Sequence, residues 1–541
     1  METKRIREIL KRTIHSRGKN VLDKGGVLIH RQIKHAVCDT QYPERISSLL
    51  EQIPESNGSK YYVPYEVSVA IVADEFLYRS FQGTADFRYV TPDNYKEICE
   101  ETQLLLIVSA WRGLHQEWRW MGTQGTPANT AVHEMISYYH KKGRAVIFYS
   151  KEDPPHYDHF LPIARRCDVI FTSAAEKIAS YMQDCQTKRV YLLEFGIHPV
   201  CHNPIGCRAA KRQNEVIFSG SWMKKYPERV REQRMIFDGV LASGRKLKII
   251  DRNYEQNNHA FLFPAKYYKY ISPSIGHREL QKVHKLYDWA VNVNSVTDSK
   301  SMFANRVYEL QANGNLLLSN DSVGISRKFA GVKIVHAKQD VCEWLNAYSE
   351  EELYLQQIAG VRCVMTGETT FDRVGSMLSA IGFAVSQPVR TVAVLVEDMS
   401  EQLKQDFENQ TYADKRLIEW NADTAPLDFV DTCDMIAFWS KDSRYGKFYL
   451  EDMIDAFKYT NSCYITKNSY FENGTLREGV EHNYTSVIHN VFATVFWKDA
   501  VDYWEIRRRM RQEKSVYAAH GYSADHFHYR RITKMEPLKD Y

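Results

Sequence analysis

Short, almost uninterrupted apolar runs alternate with longer amphipathic stretches along most of the chain. Val67 to Ala73, Leu104 to Ser109, Ala145 to Tyr149, Asp168 to Thr172 and Val190 to Leu193 read as strands, with a helix over Ala131 to Lys142. Strands without polar alternation, separated by helical segments, indicate βαβ units and a parallel sheet covered on both faces. The pattern pauses at His202-Asn203-Pro204-Ile205-Gly206 and the basic stretch Arg208 to Arg212. It then restarts with strands at Val216 to Ser219, Leu247 to Ile250, Trp289 to Val293, Leu316 to Ser319 and Val332 to Val335. Helices are expected over Pro227 to Leu241 and Phe303 to Ala312. After Gln387-Pro388 a third unit begins, with strands at Thr391 to Val396 and Met435 to Trp439 and helices at Glu401 to Gln410 and Tyr449 to Lys458. It is expected to run to about Trp497, where a basic helical tail (Arg507, Arg508, Arg509, Arg511) closes the chain. The fold class is therefore α/β, with two doubly wound Rossmann-like domains and a further α/β domain. The expected boundaries are 1–60 (a basic helical segment), 61–206, 207–386 and 387–541.

The 541 residues are too many for one core, in keeping with that division. The ten cysteines are scattered, without a C-x-x-C pair or a His pair at zinc spacing, which argues against a disulfide scaffold or structural zinc. Reduced thiols point to a cytoplasmic protein. No apolar run is long enough to span a bilayer, and the first residues lack a secretory signal. Lys4, Arg5, Arg7, Lys11, Arg12, Arg17 and Lys19 interleave with Ile6, Ile9, Leu10 and Ile14 at helical spacing. This segment reads as a solvated helix packed on the body of the protein; peripheral contact with the inner face of a membrane is the sharper alternative. A net charge of +4 gives no reason to expect a nucleic-acid partner.

Neither Rossmann-like unit carries G-x-G-x-x-G or G-x-x-x-x-G-K-[ST], which argues against dinucleotide and P-loop chemistry. Two open sheets bind ligands at the carboxyl ends of their strands, so a cleft between the two is the expected site. In the second unit, Phe218-Ser219-Gly220-Ser221-Trp222 ends a strand, followed by Lys224, Lys225 and Arg229, with Pro227 opening the helix. Gly220 and Ser221 permit close approach of a ligand, and a helix N-terminus with adjacent cations suits a diphosphate. An ordinary βα turn with surface lysines is the competing reading. In Ser301 to Gly314, Phe303, Val307 and Leu310 share one helical face, while Arg306 and Glu309 share another. Glu309 could accept both hydroxyls of a ribose while Arg306 faces phosphate; a plain surface ion pair is the alternative. Asn292 and Asn294 end the preceding strand, and Asn294 joins the donor candidates.

The stretch Val216 to Leu378 resembles the CgeB-like, spore-maturation-type branch of group-1 glycosyltransferases, which have the GT-B fold. The matching pieces are F-S-G-S-W-M-K-K-Y-P-E-R, I-I-D-R-N-Y (Ile249 to Tyr254), N-V-N-S-V (Asn292 to Val296), S-M-F-A-N-R-V-Y-E-L and T-F-D-R-V-G-S-M-L (Thr370 to Leu378). Group-1 enzymes carry an E-x7-E motif; Glu309 matches its second carboxylate, which holds the ribose, whereas Ser301 stands at the first. The resemblance implies diphosphate binding by Lys224, Lys225, Arg229 and Arg306. It also places Ser150-Lys151-Glu152-Asp153-Pro154-Pro155-His156 where group-1 enzymes have a His-Asp pair near the sugar, making His156, Asp153 and Glu152 the catalytic candidates. Glu194 to Pro199 resembles the turn that ends their first domain. Trp111 and Arg112, after an apolar strand, are acceptor candidates.

The third unit resembles a GT-A, family-2-type glycosyltransferase at Val394 to Glu397 with Phe407 to Lys415, and at Ala437 to Leu450. Where that family has consecutive aspartates, Trp439, Ser440 and Lys441 stand, leaving Asp442. One carboxylate beside a lysine is a poor divalent-metal site, so this unit reads as a degenerate, non-catalytic module. Gly479 to Tyr484 keeps the look of its acceptor region. The expected reaction moves a sugar from a nucleotide sugar, a UDP-sugar for preference, to a glycan, cell-envelope polymer or glycoprotein, without a required metal or other cofactor. A non-catalytic saccharide-binding scaffold, a GT-B-fold epimerase or a polyol-phosphate polymerase are the alternatives, as is activity in the third unit through Asp442.

Overall fold

The computed structural model describes residues 34, 36–256, 258–420, 432–500 and 515–532. Leucine-, isoleucine- and valine-rich runs that tolerate water on neither face become the interior strands of two parallel sheets. The first joins β1 (Tyr65–Val72), β2 (Ala85–Tyr89), β3 (Leu104–Val108), β4 (Ala145–Ser150), β5 (Val169–Thr172) and β6 (Val190–Leu192), in the order β2-β1-β3-β4-β5-β6. All its neighbouring pairs are parallel. The second joins β7 (Gln213–Gly220), β8 (Lys246–Asp251), β9 (Ile271–Ser272), β10 (Tyr287–Asn292), β11 (Leu316–Ser319) and β12 (Lys333–Ile334), in the order β12-β11-β10-β7-β8-β9, again all parallel. The expected doubly wound α/β architecture is thus present twice.

The strands expected from apolar runs appear with small changes at their ends. β2 and β9 were not anticipated. β2 alternates buried and exposed residues at a sheet edge, and β9 has only two residues, so neither produces an apolar run. The helix expected from Phe303 starts only at Arg306. Ser301 and Met302 are held outside a helix, their backbone N–H groups donating to Ser299 Oγ at 3.4 and 3.0 Å.

The described residues fall into two compact units. The first is drawn from Met1–Ile53, Ala210–Thr297 and Asn313–Gly360, and holds the β7–β12 sheet. The helix Pro227–Ala242 buries Ile236, Phe237 and Val240 on that sheet and meets the helix Lys338–Asn346 through Val341. The second unit, drawn from Pro54–Ala209, Asp298–Ala312 and Val361–Tyr541, holds the β1–β6 sheet and the remaining strands. One face of that sheet is covered by the helices Pro127–Lys141 and Tyr157–Ala164. The other is covered by the helix Thr370–Ala380, whose Val374, Met377 and Leu378 pack against β1 and β3.

Within the second unit, β13 (Val392–Val396), β14 (Lys415–Glu419), β15 (Met435–Trp439), β17 (Tyr464–Thr466), β20 (Asn483–Ile488), β21 (Thr494–Trp497) and β22 (Val516–Ser523) form a mixed seven-stranded sheet. Its order is β14-β13-β15-β21-β17-β22-β20. A smaller sheet joins β16 (Ser443–Tyr445), β18 (Tyr470–Glu472), β19 (Thr475–Arg477) and β23 (Tyr529–Arg531). The expected end near Trp497 is corrected here, because β22 is an interior strand between β17 and β20. The basic arginines at 507–511 and the basic segment at 4–19 lie outside the described residues. Among the described residues, no helix is long and apolar enough to cross a membrane.

Candidate functional site

In the first unit, the chain leaves β7 at Gly220, passes Ser221 and Trp222 and enters the helix Pro227–Ala242, with Pro at its start. Ser221 is buried, its hydroxyl accepting from Asn253 Nδ2 at 2.9 Å. Arg229 is also buried; its Nη1 donates to the Ser221 carbonyl and to Gln233 Oε1, both at 3.0 Å, so this guanidinium braces the turn. Lys224 and Lys225 are exposed. The Lys224 ammonium lies 3.4 Å from His259 Nδ1, and partial burial lowers its pKa. His259 opens a single 3-10 turn after β8, His259–Phe261, and no motif marks it.

Behind this turn, the carboxyl ends of β10 and β11 are tied by a buried polar network. The Asn294 backbone N–H donates to Asn320 Oδ1 at 2.7 Å, Asn292 Nδ2 donates to Ser319 Oγ at 3.0 Å, and Asn320 Nδ2 donates to Glu232 at 2.6 Å. Asn294 is 2% exposed, which makes it part of the wall that joins two strand ends. Among the described residues, the buried Asn292 Oδ1 and Gln233 Nε2 have no hydrogen-bond partner.

In the second unit, β3 and β4 deliver Trp111 and His156 to the same edge. Their rings meet edge-on at 4.8 Å, and His159 stacks on Trp111 at 5.3 Å. Burial lowers the His159 pKa. Asp74, just past β1, accepts backbone hydrogen bonds from Trp111 (3.0 Å), Arg112 (2.9 Å) and Gly113 (3.1 Å). Lys151 lies 3.4 Å from the same carboxylate and also pairs with Glu152. Arg112 is exposed and Glu152 half-buried. Asp74 and His159 escaped the sequence reading; an acid directly after an apolar strand was the available signal for the first.

Asp153, the third catalytic candidate, lies inside the turn after β4. It has no exposed surface, accepts from Thr172 Oγ1 at 2.6 Å and from the Tyr181 hydroxyl at 3.2 Å, and burial raises its pKa. It fastens the β4 turn to β5 from inside. Ser301 is likewise structural in its contacts, donating to the Ser173 carbonyl and accepting from the Ala175 N–H, both at 2.9 Å. On the helix Arg306–Ala312, Glu309 accepts from Asn305 Nδ2 at 2.8 Å and has His202 Nε2 4.0 Å away. Phe303, Val307 and Leu310 are all buried, as their spacing predicts.

At the end of β15, Trp439 stacks on Tyr445 with centroids 3.8 Å apart. Asp442 is exposed, and Lys441 pairs with Asp398 at 3.0 Å. Deeper in this layer Arg362 forks onto Asp452 at 2.6 and 2.8 Å and reaches His528 Nε2 at 3.2 Å. Lys467 pairs with Asp525 at 3.0 Å. Burial pushes His482 down to about 4 and, with Arg362 beside it, His528 to about 3, so both imidazoles are neutral.

No protein-family model and no curated protein matches the chain. Among solved structures it is similar to an alpha-glucosyltransferase in complex with UDP and a 13-mer DNA, at 10% identity over 59% of this chain and 100% of that one, with a TM-score of 0.41. It is similar to Anabaena HepE in complex with UDP and glucose, at 8% identity over 58% of this chain and 100% of that one, with a TM-score of 0.39. It is also similar to the N-terminal domain of Candida albicans trehalose-6-phosphate phosphatase, at 9% identity over 61% of this chain and 100% of that one, with a TM-score of 0.38.

Proposed function

We propose that the chain is a glycosyltransferase of the GT-B type, in the CgeB-like branch, with domain boundaries at 206/207 and 386/387. It moves a sugar from a nucleoside diphosphate sugar, a UDP-sugar for preference, to a hydroxyl of a glycan, cell-envelope polymer or glycoprotein. The observation that carries this reading is the turn after β7. There a buried serine and a braced arginine shape the backbone, and Lys224 and Lys225 stand exposed at the start of a long helix. Cations and a helix N-terminus stabilise the negative charge that develops on a leaving diphosphate, which removes the need for a metal ion.

In the reaction, the bond from the anomeric carbon to the diphosphate oxygen breaks and a bond to the acceptor oxygen forms. The acceptor proton passes to a base, for which His156 and Glu152 remain the candidates. Arg306 is assigned to phosphate and Glu309 to the ribose hydroxyls. The mixed sheet is assigned a non-catalytic role, supported by the Trp439–Tyr445 stack where a metal-dependent enzyme needs paired carboxylates.

Calorimetric titration of the intact chain with a panel of nucleoside diphosphates tests the reading. UDP is expected to bind, and the double variant Lys224→Ala, Lys225→Ala to weaken it at least tenfold, or roughly 1.4 kcal/mol. Glu309→Ala should weaken UDP while leaving inorganic pyrophosphate unchanged. Absence of binding by every nucleoside diphosphate overturns the proposal, and unchanged UDP affinity in Glu309→Ala overturns the ribose assignment.

A further inference from the structure

The connection from Ser109 to Thr126, between β3 and the helix Pro127–Lys141, is held more firmly than a surface loop requires. Asp74 grips its first turn through three consecutive backbone amides. In its middle, Trp118 and Met121 are fully buried, and Trp118 Nε1 donates to the Val90 carbonyl at 2.7 Å. Glu117, the loop's one carboxylate, is turned inward: it accepts from the Leu114 N–H at 3.0 Å, the His115 N–H at 2.7 Å and the Tyr89 hydroxyl. At its far end the Trp120 carbonyl accepts from Thr123 N–H at 2.8 Å and from Thr126 Oγ1 at 2.9 Å.

This framework holds two ordinary side chains in left-handed backbone, Gln116 at φ 75° and Trp120 at φ 69°. Each such residue costs of order 1 kcal/mol and persists only where its surroundings impose it, commonly at ligand-binding sites. The result is an indole 54% exposed, with the Arg119 guanidinium 5.2 Å from its ring. Arg112 and His115 are exposed on the same loop. Among the described residues, the side chains of Arg112, His115 and Arg119 have no hydrogen-bond or ion-pair partner. The loop therefore presents an aromatic face and unneutralised cations while hiding its acid.

We infer that this loop recognises the acceptor, and that the acceptor is an anionic saccharide carrying carboxylate or phosphate groups. An indole packs against the C–H face of a sugar ring, and guanidinium groups bind carboxylate or phosphate oxygens through paired N–H donors. Because the loop is anchored at its base, middle and end, little ordering accompanies binding, which favours affinity. The inference rests on the glycosyltransferase reading for its word acceptor, but the loop's chemistry stands independently of the nucleotide.

The test is calorimetry on the full chain with two charged probes, tetragalacturonate and mannose 6-phosphate, each paired with its neutral form, methyl-esterified tetragalacturonate and mannose. At least one charged probe should bind ten times or more tightly than its neutral partner. Trp120→Ala should weaken it about tenfold. The double variant Arg112→Ala, Arg119→Ala should bring charged and neutral forms to similar affinity. Melting temperature and UDP affinity of each variant report that the fold is intact. Binding of neither charged probe, equal binding of charged and neutral forms, or binding that inorganic polyphosphate abolishes and Trp120→Ala leaves unchanged would each overturn the inference. A wild-type chain that binds the charged saccharide but no nucleotide overturns the donor assignment instead.

Discussion

The Asp153 carboxylate is enclosed between the Thr172 and Tyr181 hydroxyls, and its burial has a stability consequence. Its pKa lies above the ordinary value of 3.8 because the folded protein disfavours the charged form. The unfolded chain therefore releases this proton more readily. The group's contribution is greatest in acid and declines as pH rises through the ordinary carboxylate range towards the folded-state value. Asp153→Asn removes the titration while keeping the shape. The stability advantage of wild type over Asp153→Asn is expected to shrink as pH rises above the ordinary carboxylate value of 3.8, measured by urea denaturation. Asp153→Ala should cost about 1–3 kcal/mol at neutral pH, because the Tyr181 hydroxyl loses Asp153 as acceptor and Thr172 keeps only the Ala174 carbonyl, at 3.4 Å. A wild-type advantage that grows with pH would mean that the folded protein favours the ionised carboxylate.

The helix Thr370–Ala380 shows how an element is specified locally and then placed by tertiary contact. Thr369 and Asp372 form a reciprocal capping box: the Thr369 hydroxyl accepts from the Asp372 N–H at 3.3 Å, and Asp372 accepts from the Thr369 N–H at 2.8 Å. That box, Thr369-Thr370-Phe371-Asp372, begins one residue before the T-F-D-R motif and is readable in sequence. What the helix meets is not. A Cβ at Gly375 would lie 2.2 Å from the Tyr65 hydroxyl oxygen, which itself donates to the Phe371 carbonyl at 3.1 Å. Gly375→Ala is therefore expected to destabilise by about 1–3 kcal/mol, and adding Tyr65→Phe should recover part of the loss, since the ring carbon behind the hydroxyl still lies 2.9 Å away. Additive effects in that double-mutant cycle would show that the two residues do not collide.

The same contrast runs through the other elements. Apolar runs announced the interior strands of both parallel sheets, because a strand covered on both faces admits little polar sequence. Edge strands such as β2, and the three-residue strands of the smaller sheet, have no such constraint and stayed silent. At the candidate site, Lys224, Trp111 and His156 were legible from their place at strand ends. His159 and His259 were not, because their partners come from distant segments, whereas Asp74 carried a signal in its place just after β1. The resemblance to an E-x7-E motif located Glu309 but could not say that Ser301 bonds to Ser173 and Ala175.

On the scale of the whole second unit, the mixed sheet is tied by hydrogen bonds to Arg362 and Met365 and to the segment that leads into β1. Arg362 forks onto Asp452, Lys458 Nζ donates to the Met365 carbonyl at 2.8 Å, and Arg390 donates to the Tyr61 carbonyl at 2.9 Å. Ser59 Oγ donates to the Phe457 carbonyl at 2.7 Å. Asp452→Ala would leave the Arg362 charge buried without its counter-charge, at a cost of about 3–5 kcal/mol. Hydrogen exchange read strand by strand should show β1, β3, β13 and β15 losing protection together in that variant. Loss confined to β13 and β15 would mean that the mixed sheet is a separate folding unit.

Placing the helix Thr370–Ala380 against β1 and β3 also sets an order of events during synthesis. About 180 residues separate the end of β6 from this helix. At roughly 5–20 residues per second, the first sheet would wait about 10–40 s for the segment that covers one of its faces. During that interval Val67, Val69, Ile71, Leu104 and Leu106, all buried in the finished protein, lack part of their cover. The nascent chain should therefore be a client of chaperones that shield apolar surface, and its yield should respond to slower growth or lower temperature.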